Sequence, residues 1–180
     1  MAKPDEQLVD EILVMDAQSG RSQAMELLVA RWQKRLWRYA CSLTGDSETA
    51  WDVTQEAWLG IIRGIGRLND PARFRPWAFR IVTNKANDWI RRNGCSARPQ
   101  AAPIAEAHLR TPQQNNETTS DLHSLLRRLP DRSRVVLTLY YLEEFDVPEV
   151  AKILRIPRGT VKSRLYKARQ EFKKLWQQHT

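Results

Sequence analysis

With 180 residues, 42% of them apolar and 28% charged, the chain can build one domain or two small ones, and no uninterrupted apolar stretch approaches the roughly 18 residues that would span a bilayer. Its net charge of +8 suggests a polyanionic partner. Two cysteines, Cys41 and Cys95, and three scattered histidines, His108, His123 and His179, fit neither a disulfide framework nor a metal cluster, and no Gly-rich phosphate loop occurs, so the usual enzymatic constellations are missing and no catalytic residue, cofactor or metal is expected.

The N-terminus, Met1-Ala2-Lys3-Pro4-Asp5-Glu6, turns acidic at once and lacks the apolar core of a secretory signal, which makes cytoplasm the expected compartment and membrane insertion unexpected. Residues 1–20 read as an N-terminal extension, in simplest form a helix. From 24 to 43, Ala24, Leu27, Leu28, Trp32, Leu36, Tyr39, Ala40 and Leu43 recur at steps of three and four, the spacing of a helix with one buried face, and Gly45 stops it. Asp46 or Ser47 is placed to cap a second helix with Ala50, Val53, Ala57, Ile61 and Ile65 as its stripe, ended by Gly64 and Gly66. A third is predicted from Pro76, burying Trp77, Ala78, Ile81, Val82 and Trp89.

Between Asn93 and Ser120 the periodicity dissolves into Pro99, Pro103, Pro112, a Gln/Asn run and Thr118-Thr119-Ser120, the composition of a flexible linker. It resumes at Leu122, Leu125, Leu126 and Leu129, breaks at Pro130, and returns in Val135, Val136, Leu139, Tyr140 and Leu142. Val147 to Arg169 then reads as two short helices joined by a tight turn. Val150, Ala151 and Leu154 are expected inward, Ile156 and Val161 complete the small core, and Gly159 or Thr160 caps the second helix. Between Lys152 and Lys174 nine basic residues face a single acid, Glu171, and between Arg63 and Arg92 eight face Asp70 and Asp88. Two basic regions on one chain suggest two contacts with a single long polyanion. The expected fold is all-α: two small helical domains, 21–93 and 121–180, joined by a flexible linker at 94–120.

Motifs sharpen this. Ile156-Pro157-Arg158-Gly159-Thr160-Val161-Lys162-Ser163-Arg164-Leu165-Tyr166-Lys167-Ala168-Arg169 resembles the end of region 4 of bacterial RNA polymerase sigma factors of the extracytoplasmic-function (ECF) group in the sigma-70 family, and Leu129 to Leu137 resembles the opening of that region. The resemblance implies a helix-turn-helix that reads the promoter element near position −35, with Arg158, Thr160, Lys162, Ser163, Arg164, Tyr166 and Lys167 toward DNA. The family pattern has glycine at the turn where this chain has Arg155, so a left-handed backbone there would cost about 1 kcal/mol.

Ala50-Trp51-Asp52-Val53-Thr54-Gln55-Glu56-Ala57-Trp58 resembles a region 2 segment of the same family, which implies that Asp52, Gln55, Glu56 and Leu59 dock on a coiled coil of the polymerase's largest subunit, with the flap as a further contact of the protein. Phe74 to Arg92 resembles the part of region 2 that melts and holds the −10 element, which implies DNA contacts from Arg80, Asn84, Asn87, Asp88 and Arg91 and, in the preceding loop that receives a flipped base, from Arg67, Asn69, Arg73 and Phe74. The chain is thereby identified as a two-domain sigma factor directing promoter-specific initiation of a stress- or signal-responsive set of genes. Its implied partners are core RNA polymerase, promoter DNA and an inhibitory anti-sigma factor. A self-sufficient DNA-binding regulator is the alternative from another class, separated by whether core polymerase is required.

Overall fold

The computed structural model describes residues 4–93 and 117–178, and among them every regular element is helical. Helix α1 spans Pro4–Gln18, α2 Ser22–Thr44, α3 Ser47–Gly64 and α4 Phe74–Asn93. In α2, Ala24, Leu28, Trp32, Leu36 and Ala40 recur every fourth residue and are all buried, giving the helix one apolar stripe. It ends where Gly45 takes φ 78°, a left-handed conformation that lets its N–H reach the carbonyl of Cys41 at 2.9 Å. One residue later the Asp46 carboxylate accepts from the Thr49 N–H at 2.7 Å and caps α3. Burial pushes that carboxyl up, but hydrogen bonds from the Thr49, Glu48 and Ser47 backbone outweigh it and hold it below its ordinary value.

Helices α3 and α4 cross closely at Gly64, where an added Cβ would lie 3.0 Å from the Trp77 ring. Helix α4 starts at Phe74, two residues before Pro76, because a 3-10 turn at Pro71–Arg73, capped by Asp70, feeds straight into it. Its inward face is Phe74, Ala78, Phe79, Val82 and Ala86, set by packing on Trp32 and Tyr39 of α2, and this leaves Trp77, Ile81 and Trp89 only half-buried, contrary to the sequence reading. The centre is aromatic: Trp32 meets Phe74 and Phe79 edge-on at 5.9 and 6.4 Å, and Tyr39 packs on Phe79 at 4.9 Å. The acidic extension is indeed a helix, with Val14 buried in this core.

The C-terminal unit opens with α5 at Glu117–Arg128, so 117–120, expected as linker, are helical, and the rest of that stretch lies outside the described residues. Helix α6 (Asp131–Leu137) follows Pro130 and runs into a π-helical turn at Thr138–Leu142, in which the Glu143 N–H reaches five residues back to Thr138. Helix α7 (Val147–Leu154) begins with a reciprocal capping box: Asp146 accepts from the Glu149 N–H at 2.7 Å and Glu149 from the Asp146 N–H at 3.0 Å. Its buried residues are Val150 and Ile153, while Ala151 and Leu154, expected inward, are half-buried. Helix α8 (Arg158–Gln177) follows Pro157, whose fixed φ makes it the N-cap, so Thr160 stands third in the helix and neither it nor Gly159 is the cap.

The two units touch. Phe145, 2% exposed, meets Phe79 of α4 edge-on at 5.0 Å, with the Arg75 guanidinium 4.3 Å from its ring centre. Beside it Arg35 of α2 pairs with Glu143 at 3.0 Å.

Candidate nucleic-acid interfaces and a docking face

Helix α8 turns Val161, Leu165 and Ala168 inward, four and then three residues apart, about one turn each. This leaves Arg158, Lys162, Ser163, Tyr166 and Lys167 exposed and Thr160 and Arg164 partly so, and all seven predicted residues share one helix. Tyr166, 66% exposed, is an unburied aromatic amid cations, a combination suited to phosphates and base edges together. The half-buried Glu171 stands 3.8 Å from the exposed Lys167, a pair too loose to neutralise the face. Not every cation of the helix is available: Arg169 donates to the Tyr141 hydroxyl at 2.8 Å and lies over Tyr140 and Tyr141. Between α7 and α8, Arg155 takes φ 54°, ψ 46°, so the turn keeps the left-handed backbone although the residue is not glycine, a point that the sequence left open.

On α4, Arg80, Asn87 and Arg91 are exposed and Asn84 and Asp88 half-buried. Asp88 accepts from Arg91 at 3.1 Å, which orients that guanidinium along the helix. The preceding loop starts with a 3-10 turn at Ile65–Arg67 and presents Arg67, Asn69 and Arg73 to solvent. Arg73 is held to Asp70 at 2.9 Å. Phe74 is the exception among the predicted contacts: it is 1% exposed, locked against Trp32, and supports the loop from beneath. An aromatic beside arginines looks like a stacking surface in sequence, but here it is the first inward residue of α4.

A third surface runs along α3, with Asp52, Gln55 and Leu59 exposed and Glu56 partly so. Glu56 accepts from Lys85 at 3.4 Å and pairs with Arg92 at 3.6 Å, both on α4, so this face and the basic face of α4 share an edge. Sequence reasoning missed Ile62, 49% exposed beside the 52% exposed Leu59. Its position three residues on from Leu59, off the buried stripe, was the available signal. It also missed Gln18, whose amide donates to the carbonyls of Ile65 and Leu68 at 2.9 and 2.7 Å. No local pattern reports a contact across about fifty positions.

Among the described residues no group of three His, Cys, Asp or Glu is placed to hold a metal, and no helix is long and apolar enough to cross a membrane.

Residues 28–95 match the family model of sigma-70 region 2, and 119–172 that of sigma-70 region 4. The chain is 27% identical over 183 residues to the RNA polymerase sigma-H factor of Pseudomonas aeruginosa, covering 93% of this chain and 94% of that protein. It is 30% identical over 180 residues to the ECF RNA polymerase sigma-E factor of Haemophilus influenzae, covering 92% and 94%. Among solved structures, CnrH in complex with the cytosolic domain of CnrY is similar with TM-score 0.69 and 28% identity over 96% of this chain and 99% of that one. The sigma factor RpoE of Bartonella quintana, bound to the anti-sigma factor NepR, shares the fold with TM-score 0.69 and 20% identity, over 84% and 96%.

Proposed function

Because the chain belongs to the sigma-70 family, in its ECF group, we propose that it binds core RNA polymerase and directs it to a two-element promoter, acting as an initiation factor with no chemistry of its own, in the cytoplasm, for a stress- or signal-responsive set of genes. The observation that carries this is the pair of separate basic surfaces, one in each matched region: the outer face of α8, and α4 with the loop before it. The α8 face reads the −35 element as duplex in the major groove, where cations and hydroxyls meet phosphates and base edges. The α4 face, with Arg67, Asn69 and Arg73, holds the melted −10 strand, for which amide and guanidinium groups supply hydrogen bonds and charge. Asp52, Gln55, Glu56 and Leu59, joined by Ile62, dock on the coiled coil of the largest polymerase subunit, and the C-terminal domain meets the flap.

Elements about two helical turns apart lie roughly 70 Å from each other, whereas here the two domains touch at Phe145 and Glu143. Engaging core polymerase therefore separates them and draws the linker out across the enzyme. An anti-sigma factor, as in the Bartonella quintana complex, takes the opposite part and keeps the protein from core.

The test is run-off transcription on fragmented genomic DNA from the source organism, with core polymerase alone and with this protein added. New RNA starts sharing two upstream elements are expected. Tight sequence-specific DNA binding without polymerase, and no new starts, would assign the chain to the stand-alone regulators instead.

A further inference from the structure

The N-terminal helix lies before the segment matched to region 2, which begins at residue 28, yet it holds the loop that carries Arg67, Asn69 and Arg73 at both ends. At the first end, Gln18, the last residue of α1, uses its amide nitrogen to bridge two backbone carbonyls, Ile65 at 2.9 Å and Leu68 at 2.7 Å. The Ile65 carbonyl also closes the 3-10 turn by accepting from the Leu68 N–H at 3.1 Å. At the second end, Asp10 of α1 accepts from the Trp32 indole N–H at 3.1 Å and from Arg31 at 2.9 Å, and Trp32 in turn packs edge-on against Phe74, where the loop passes into α4.

The Gln18 bridge has a directional consequence. The Leu68 carbonyl belongs to the peptide plane that also carries the Asn69 N–H, so fixing that oxygen fixes the plane from which Asn69 departs, while the preceding plane, through which the chain leaves Arg67, is held by the Leu68 N–H on the Ile65 carbonyl that Gln18 also grips. Only a group with two hydrogens on one nitrogen satisfies both acceptors from one position. A carboxylate of the same shape would set a negative oxygen against two carbonyl oxygens.

We propose that Gln18 is a positioning residue for promoter opening: α1 braces the −10 loop so that Arg67 and Asn69 are preset to receive an unpaired base. Preset groups grip the base without first ordering a loop, and that ordering cost falls on the melting step. This inference rests on the initiation-factor reading above.

The test compares wild type, Gln18→Glu and Gln18→Ala, each as full chain assembled with core polymerase on a promoter fragment mapped by the run-off assay. Three quantities are read: affinity for core, affinity for the −35 duplex, and the rate of opening at the −10 element followed by permanganate reactivity of unpaired thymines. Gln18→Glu is expected to slow opening by roughly tenfold or more, Gln18→Ala by less, with the other two quantities within about twofold of wild type. A merely structural role would lower all three together and depress the thermal midpoint, and that pattern, like opening at the wild-type rate in Gln18→Glu, overturns the proposal. Wild-type holoenzyme that opens no promoter at all would instead overturn the initiation-factor reading on which it rests.

Discussion

Arg134 donates from Nε to the carbonyl oxygen of Ser42, 2.9 Å away and 92 positions earlier in the chain. The same guanidinium reaches the Arg127 carbonyl at 3.2 Å and Asp131 at 2.9 Å. At 8% exposure it is a buried cation held by these acceptors, one of them on the other domain. Replacing it by alanine leaves carbonyls without a donor, and losing charge-assisted bonds costs about 1.5–3 kcal/mol. Arg134→Ala should therefore lower the midpoint of urea unfolding clearly. Arg134→Lys, which keeps the charge but not the planar fork, should recover only part of it.

The turn of the helix-turn-helix offers a change in the opposite direction. Arg155 holds φ 54°, ψ 46° and its N–H caps α7 on the Ala151 carbonyl. Its side chain is exposed. Arg155→Gly removes the left-handed strain and should stabilise the protein by about 1 kcal/mol, which for a small domain is a rise of several degrees in thermal midpoint. Calorimetry reads this directly. A fall in midpoint would mean that the arginine holds something the strain argument omits.

The surfaces should separate by mutation. Asp52→Ala with Gln55→Ala is expected to weaken binding to core polymerase, while Lys167→Glu spares it and weakens recognition of the −35 element. Both changes alter exposed side chains and leave the core intact. Binding to core in solution and to −35 duplex DNA measures each separately, and equal loss of core binding in both variants would refute the partition.

Where sequence and structure diverged, the cause lies in range. The stop of α2 at Gly45 and most of its stripe are local matters of period and turn chemistry and stand as read, although Leu27, expected inward, is exposed and Leu43 half-buried; of the two caps offered for α3, Asp46 is the one used. The left-handed turn at Arg155 was not legible, because the residue itself disfavours that backbone and only the packing of α7 against α8 imposes it. Phe74 was misplaced because its burial depends on Trp32, forty-two positions away, and on a 3-10 turn that starts α4 early. The Gln18 bridge and the Arg35–Glu143 pair, 108 positions apart, leave no periodic trace at all. The faces of α8 and α3 were legible because alternation between buried and exposed positions on a helix is itself periodic.

Within the N-terminal core, Tyr39 and Thr83 meet at 2.8 Å, and the Thr83 hydroxyl also donates to the Phe79 carbonyl at 2.8 Å. Thr83 having spent its hydrogen, Tyr39 must be the donor between them. Burial pushes the phenol well above its ordinary range, so it remains protonated. Thr83→Val strands that buried hydroxyl without an acceptor, at a cost of about 1–3 kcal/mol. Adding Tyr39→Phe removes the stranded group, so the double variant should be destabilised by less than the sum of the two single variants. Strict additivity in a denaturation cycle would contradict the donor assignment.

Besides the Arg134–Ser42 bond, the contact between domains includes two unlike interactions, and they should not weigh equally. Phe145 is a ring enclosed by Phe79 and Arg75, and truncating such a side chain typically costs about 3–5 kcal/mol. Glu143 pairs with Arg35, yet burial pushes its carboxyl up, and Arg35, Arg75 and Arg38 pull it back without restoring the ordinary value. With a raised value in the closed form, closure takes up protons. The contact is thus favoured at acidic pH and loses stability as pH rises from the ordinary carboxylate range through the raised one, after which it levels off. Phe145→Ala should therefore open the free protein, seen as a radius of gyration larger by roughly a fifth in X-ray scattering. Glu143→Gln, neutral at every pH, should stay closed and lose the pH dependence. Opening by Glu143→Gln with Phe145→Ala still closed would reverse the assignment and make the ion pair the clasp.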